Sequence, residues 1–312
     1  MLIVVAVVLL ILPQITSTYY LFLSTEALIF AIAAVSLNLL VGYTGLISFG
    51  HAAFFGLGGY SVALLLTHTG IQNFGLVMLL SVLITTGFSM AVGLIMVRTT
   101  GFYFLMITLA FSQMIWGIFY GWYGVTGGSS GLFTYNPPNL GFPWHADGFT
   151  EFYYLTLAFF AVCMFIMYRI TTSPYGRTLV GIREDEVRMK ALGYNTWRYK
   201  YSIIVISGMF SGLAGALKAY QDNSITPNSL TFVLSALILL MILLGGRGVF
   251  IGPIVGAFGV WFLRQLISTY TEYWSTILGV LFIVLVIFAS KGIVGSIAER
   301  WEAMRHRLRS GG

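Results

Sequence analysis

The chain has 312 residues, 58% of them hydrophobic and only 8% charged, with a formal net charge of +6. A soluble domain carries about 25% charged residues, so a water-soluble globular fold is excluded. The apolar runs are continuous and lack the alternating polarity of a transmembrane barrel, which predicts an all-α polytopic helical bundle, one transmembrane domain over residues 1–312.

Runs long enough to approach the roughly 20 residues of a spanning helix lie at about 1–17, 19–41, 51–69, 74–97, 101–122, 151–170, 201–220, 230–245, 252–270 and 274–290. They predict about ten spans, or eight if two short helices are re-entrant. The opening MLIVVAVVLLILP has no basic n-region and no clear small-x-small cleavage site, so it is read as a retained first helix ending near Pro13. Asn38 follows as an isolated polar residue within the second run.

Val41 to Tyr60, VGYTGLISFGHAAFFGLGGY, breaks the helical pattern. Gly42, Gly45, Ser48 and Gly50 form a glycine-rich turn, and His51 opens the next helix. Glycine supplies positive φ or close backbone approach, so the turn serves either as a tight hairpin or as a broken segment lining a path. A helix start there would present donors to an anion such as a substrate carboxylate, with Ser48 and Asn38 as neutral polar company.

No Lys or Arg precedes Arg98, and none lies between Thr99 and Tyr168. The 123–150 loop is rich in Gly, Pro and aromatics. Trp116, Trp122, Trp144 and Trp274 suit an outer aromatic belt. Arg169 to Lys200 then hold seven of the sixteen basic residues and three of the ten acids. Ser173-Pro174 should stop the preceding span. A short amphipathic helix is expected from Gly181 to Leu192, with Ile182, Val187, Met189, Ala191 and Leu192 as its apolar members and Gly193 as its left-handed cap. It suits either docking to a soluble partner or a solvated loop carrying positive-inside charge.

Lys218 either marks a pathway as an ionisable group or, in the favoured reading, reaches outward to Asp222. A second break, LGGRGVFIGPIVGAFG, contains Gly245 and Gly248 and repeats the helix, glycine turn, helix pattern of the first. Transporter halves often carry interrupted segments at matching positions. Arg247 reads as a turn charge. Arg264, about six residues from the outer end of its run, is either a pathway residue or the partner of an acid such as Glu272. Small residues at four-residue spacing, Gly117/Gly121, Gly208/Gly212, Ser211/Gly215 and Gly252/Gly256, favour close helix packing in lipid.

With ten spans, Arg98, the 171–200 segment and the basic tail 291–312 fall on one face, which the positive-inside rule makes cytoplasmic. Both termini are then cytoplasmic. The basic residues are thereby explained without nucleic acid, and the lipid bilayer is the surrounding medium. No GxxxxGK[ST] phosphate loop and no HExxH is present, so no nucleotide, metal or other cofactor is expected to be held by this chain and no catalytic residue is assigned.

LNLLVGYTGLISFGHAAFFGLGGY, GIREDEVRMKALGYNTWRYK and LILLMILLGGRGVFIGPIVGA resemble the LivM-type permease subunit of branched-chain amino acid ABC importers over about residues 25–290. Met189 and Lys190 depart from the small residues usual in that family's cytoplasmic helix. The resemblance implies a permease in the cell inner membrane, working with two ATP-binding subunits, a second related permease or a copy of itself, and an external substrate-binding protein. It implies ATPase coupling through Arg183, Glu184, Asp185, Glu186, Arg188, Ala191, Leu192 and Gly193. The translocation path is expected near Asn38, Gly42, Gly45, Ser48, Gly50, His51, Gly245, Gly248 and Arg264. The expected cargo is branched-chain or other hydrophobic amino acids, although related permeases serve amides, urea and organic acids. The alternatives are an ion-coupled secondary transporter, for which Glu26 is the strongest intramembrane acid, and a scaffold without a path.

Overall fold

A computed structural model of the chain describes residues 9–14, 16–134, 148–271 and scattered positions from there to 283. Its helices are α1 (Thr18–Val41), α2 (His51–Leu64, continued by a π turn to Thr69), α3 (Phe74–Met96), α4 (Gly101–Gly121), α5 (Phe149–Thr172), α6 (Pro174–Glu184), α7 (Glu186–Ala191), α8 (Thr196–Asp222), α9 (Phe232–Gly245) and α10 (Gly252–Tyr270). Two short strands, β1 (Leu132–Phe133) and β2 (Ser224–Ile225), pair antiparallel with Leu132 opposite Ile225.

Burial follows the logic of a bilayer. The inner face of α3 carries Ser81, Thr85 and Ser89, all fully buried, while Leu79, Leu83, Met90, Leu94 and Ile95 point outward. In water this pattern would be inverted. The buried hydroxyls are satisfied within the protein: Thr85 donates to the Ser81 carbonyl at 2.8 Å and Ser81 to the Gly58 carbonyl at 2.8 Å. On α4 only Phe104, Thr108, Ser112 and Ile115 are buried, a single stripe at helical spacing. Trp122 and Tyr123 are exposed at its end, where an interfacial aromatic belt belongs.

Helix α1 is apolar on all sides and buried without interruption from Ala27 to Val41; such a helix belongs at the centre of a bundle. It packs against α5, α8 and α10. Helix α2 is buried from His51 to Ala63 and lies against α3 and α8. The small-residue spacings explain these approaches. A Cβ on Gly212 or Gly208 would strike Thr85 or Ser89 of α3, and one on Gly215 would overlap the Phe55 carbonyl of α2. Gly256 meets the Met241 carbonyl of α9 in the same way, whereas Gly117 and Gly121 face open space. Rings of Phe55, Phe30 and Trp261 stack at 5.5 and 4.6 Å and tie α2, α1 and α10 together.

Among the described residues, six helices are long and apolar enough to cross a membrane: α1, α2 with its π turn, α3, α4, α5 and α8. The expectation of about ten spans is met only in this coarser form. The run at 230–245 contains the 14-residue α9, about 21 Å long against a hydrocarbon core of about 30 Å. Helix α10 fills the 252–270 run. The 1–17 run is seen at 9–14, where Tyr153 and Tyr154 of α5 donate to the Leu9 and Leu10 carbonyls at 2.7 and 3.1 Å. The 274–290 run, the tail 291–312, Trp144 and Trp274 lie wholly or largely outside the described residues.

Candidate functional site

The first glycine turn leaves α1 at Gly42, passes Gly45 at φ 76° and reaches α2 through Gly50. Several of its backbone donors are taken up by protein. Phe49 N–H meets Thr108 Oγ1 of α4 at 3.2 Å, Gly50 N–H meets Ser48 Oγ at 3.2 Å, and Ala52 N–H meets Ser235 Oγ of α9 at 2.9 Å. The start of α2, expected to face a substrate carboxylate, therefore holds Ser235 in this structure.

His51 is fully buried, with Nε2 2.8 Å from Ser36 Oγ. Ser36 spends its one hydroxyl hydrogen on the Ala33 carbonyl, so the imidazole is the donor and carries its proton on Nε2. The other ring nitrogen, Nδ1, has no hydrogen-bond partner among the described residues. Ser211 Oγ donates to the His51 carbonyl at 3.2 Å and Ser207 Oγ to the Ser36 carbonyl at 2.6 Å, so α1, α2 and α8 share one polar knot.

The second glycine turn joins α9 to α10, with Gly246 at φ 113° and Gly248 at φ 79°. Gly245 and Gly252 touch closely enough that a Cβ on either would overlap the other's backbone. The two turns meet. Asn38, fully buried, donates from Nδ2 to the Val249 carbonyl at 3.3 Å and accepts from Gly248 N–H at 3.2 Å. A Cβ on Gly42 would strike the Gly248 nitrogen. Asn38 is thus the clip between the turns.

The charged segment follows its capping residues. Ser173 ends α5 and caps α6 by accepting Gly176 N–H at 3.3 Å, with Pro174 in the first helical turn. The single helix expected over Gly181–Leu192 is instead two. Asp185 adopts an extended φ of −156° and its side chain accepts Arg188 N–H at 2.9 Å, so it caps a new helix, α7. An aspartate competes with helix continuation in this way. Gly193 does take the left-handed conformation, at φ 87°.

The charged side chains divide between inward and outward roles. Arg183 donates from Nη1 to the Gly42 carbonyl, and its Cγ lies 2.9 Å from where a Cβ on Gly45 would stand. Glu184 Oε1 holds the other side of the guanidinium at 2.5 and 3.0 Å. Glu186 also turns inward, to Lys200 at 2.5 Å, Lys190 at 3.1 Å and the Thr196 hydroxyl at 3.1 Å. Partial burial pushes its carboxyl up, but the lysines outweigh that and hold it below the usual carboxylate range. Val187, Arg188, Ala191, Leu192, Tyr194 and Trp197 remain exposed. Of the expected apolar members, Ile182 is buried while Val187 and Leu192 face outward.

Arg264 does not join the glycine turns. It lies twelve residues beyond Gly252 on α10, about 18 Å along the axis, with its guanidinium 4.5 Å over the Trp261 ring. Its expected partner Glu272 is outside the described residues. Lys218 bonds Asp222 at 2.7 Å as expected, but it is largely buried and also bonds Glu26 of α1 at 2.5 Å. The contacts between the two turns, and the insertion of Arg183 between them, had no signal in sequence spacing.

An inverted burial pattern, two glycine-broken hairpins joined to each other, and a charged segment touching them together define a polytopic membrane permease. The chain belongs to the family described as branched-chain amino acid transport system / permease component, whose model matches residues 19–287. It is 27% identical over 294 residues to the high-affinity branched-chain amino acid transport system permease protein LivM of Salmonella typhimurium, covering 87% of this chain and 69% of that protein. LivM of Escherichia coli matches with the same identity and coverage. The ribose import permease protein RbsC of Haemophilus influenzae is 26% identical over 137 residues, 42% of each chain. No solved structure matches.

Proposed function

We propose that this chain is the membrane-spanning permease subunit of an ATP-driven importer for branched-chain or other hydrophobic amino acids. It works with two ATP-hydrolysing subunits, with a second permease subunit, related or identical, and with an external binding protein that supplies specificity. The observation that carries this reading is the direct contact between the charged segment and the glycine turns, through Arg183 and Gly42. A docking signal then reaches broken helices without an intervening domain.

Residues 171–200 and both glycine turns lie at the cytoplasmic end, and the β1–β2 ribbon lies at the outer end. Support comes from the chain's own connections: Arg183 joins the turn after α1, while β1 after α4 pairs with β2 after α8. The basic residues of 171–200 favour the inner face. Both termini, including the tail 291–312, are cytoplasmic, and the whole chain is one permease domain of the inner membrane. The pathway runs past Gly45, Ser48, Gly50 and His51, where irregular backbone must line protein or a water-filled cavity. Opening requires Ser235 to release Ala52 N–H, which then becomes available to the substrate carboxylate.

The ion-coupled alternative depends on Glu26, which the Lys218 ammonium already occupies. Reconstitution in vesicles decides between them. ATP-dependent uptake of leucine, isoleucine or valine, needing the ATPase and binding-protein subunits, is expected; uptake driven by a proton or sodium gradient without ATPase subunits would refute the reading.

A further inference from the structure

We infer that Arg183 is the positioning residue that transmits ATPase movement to both glycine turns at once, rather than a residue of the docking surface. The inference deepens the importer reading and rests on it.

One hydrogen bond and two close approaches converge on this side chain. Its Nη1 donates to the Gly42 carbonyl in the first turn. Its aliphatic stem fills the space that a side chain on Gly45 would need, at a backbone conformation open to glycine. The same Nη1 lies 3.3 Å from where a Cβ on Gly248 of the second turn would stand. Gly248 is itself held by Asn38 of α1, so moving Arg183 moves the junction as a unit. Its backbone is one residue from the α6–α7 break, and the same guanidinium is paired to Glu184. A partner that tilts α7 pulls on this arginine through two bonded neighbours, Glu184 and Asp185.

Helix α7 is tied to α8 by an ion pair. Glu186 anchors it to Lys200 at the base of α8, so α7 follows α8 while α6 ends on the turns. Tyr175 of α6 also bonds Ser202 of α8 at 2.6 Å, and Arg183 is the side chain beside the break that reaches the turns. About a third of that side chain is exposed, against two-thirds for Glu184 beside it.

The test uses the assembled transporter in vesicles, measuring ATPase subunits bound, ATP hydrolysed and amino acid taken up. Arg183→Met keeps the stem beside Gly45 and loses the donor. It should bind the ATPase subunits normally and lose at least about fivefold in uptake per ATP, the lower range of measured coupling effects. Arg183→Lys, which restores a donor, should recover most of it. Unchanged uptake per ATP in Arg183→Met would overturn the inference. If Arg183→Met instead fails to bind the ATPase subunits, Gly248→Ala decides, since it disturbs the junction from outside the charged segment: retained coupling there makes Arg183 a docking residue and also overturns the inference. A wild-type complex with no ATP-driven uptake would remove the importer reading itself.

Discussion

Glu26 of α1 and Lys218 of α8 meet with 2.5 Å between carboxylate and ammonium, both side chains about seven-eighths buried. Removing one member of a buried pair costs about 3–5 kcal/mol because the other is left uncompensated. Asp222 remains as a second partner for Lys218, so Glu26→Gln should cost less, about 1–3 kcal/mol. The Glu26→Gln/Lys218→Met double variant should recover much of the loss. Thermal unfolding of the purified protein in detergent, run as a double-mutant cycle, measures the coupling. ATP-driven uptake should survive in the double variant.

Gly45→Val should insert and assemble but abolish uptake. A β-branched residue at φ 76° is strained, and its Cβ would press on Arg183. Gly50→Val should act similarly, because its Cβ would lie 2.9 Å from the Thr108 carbonyl. Normal uptake in both would reduce the first turn to a connector.

Leu192 is two-thirds exposed on the outer face of the segment. Leu192→Asp should leave folding within about 0.5 kcal/mol of wild type, as surface changes do, while weakening capture of the ATPase subunits by at least about tenfold. Pull-down of those subunits measures it, and full retention would move the docking surface elsewhere.

The Glu186 carboxyl is held below the usual carboxylate range. A depressed folded-state value contributes stability above the ordinary value near 4.3, lost as pH falls through the folded one. The α7 anchor should therefore be intact at neutral pH and loosen only in acid. Glu186→Gln should loosen it at every pH. A spin label at position 192 should show increased mobility in that variant at pH 7, and in the parent only upon acidification.

With Cys163 replaced by alanine, a cysteine at position 187 should react with an impermeant reagent only from the cytoplasmic side. One at position 123, at the opposite end, should react in intact cells. Val187 and Tyr123 are both well exposed. The reverse labelling pattern would invert the topology.

Much of the bundle was legible because apolar runs report helices directly. The glycine turns were found from residue type, since positive φ at Gly45, Gly246, Gly248 and Gly193 needs glycine. The break at Asp185 was missed although its signal was present: aspartate is a favoured cap, and it competed successfully with the apolar spacing around it. The pairings of Asn38 with Gly248, Arg183 with Gly42, and Glu26 with Lys218 join residues more than a hundred positions apart. Spacing along one helix carries no information about such contacts. Composition likewise failed to say that Glu186, one of three adjacent acids, would turn inward.

The glycine contacts between α2 and α8 restrict how the permease can move. Gly58 lies against the Gly212 backbone and Gly215 against the Phe55 carbonyl, with no side chain between them. Helices seated backbone to backbone have no compressible layer through which to slide. These two must travel as one rigid body, with α3 locked to them through Thr85 and Ser89. The proposed path would then open along the edge of that body, and the α9–α10 hairpin meets that edge through Ser235.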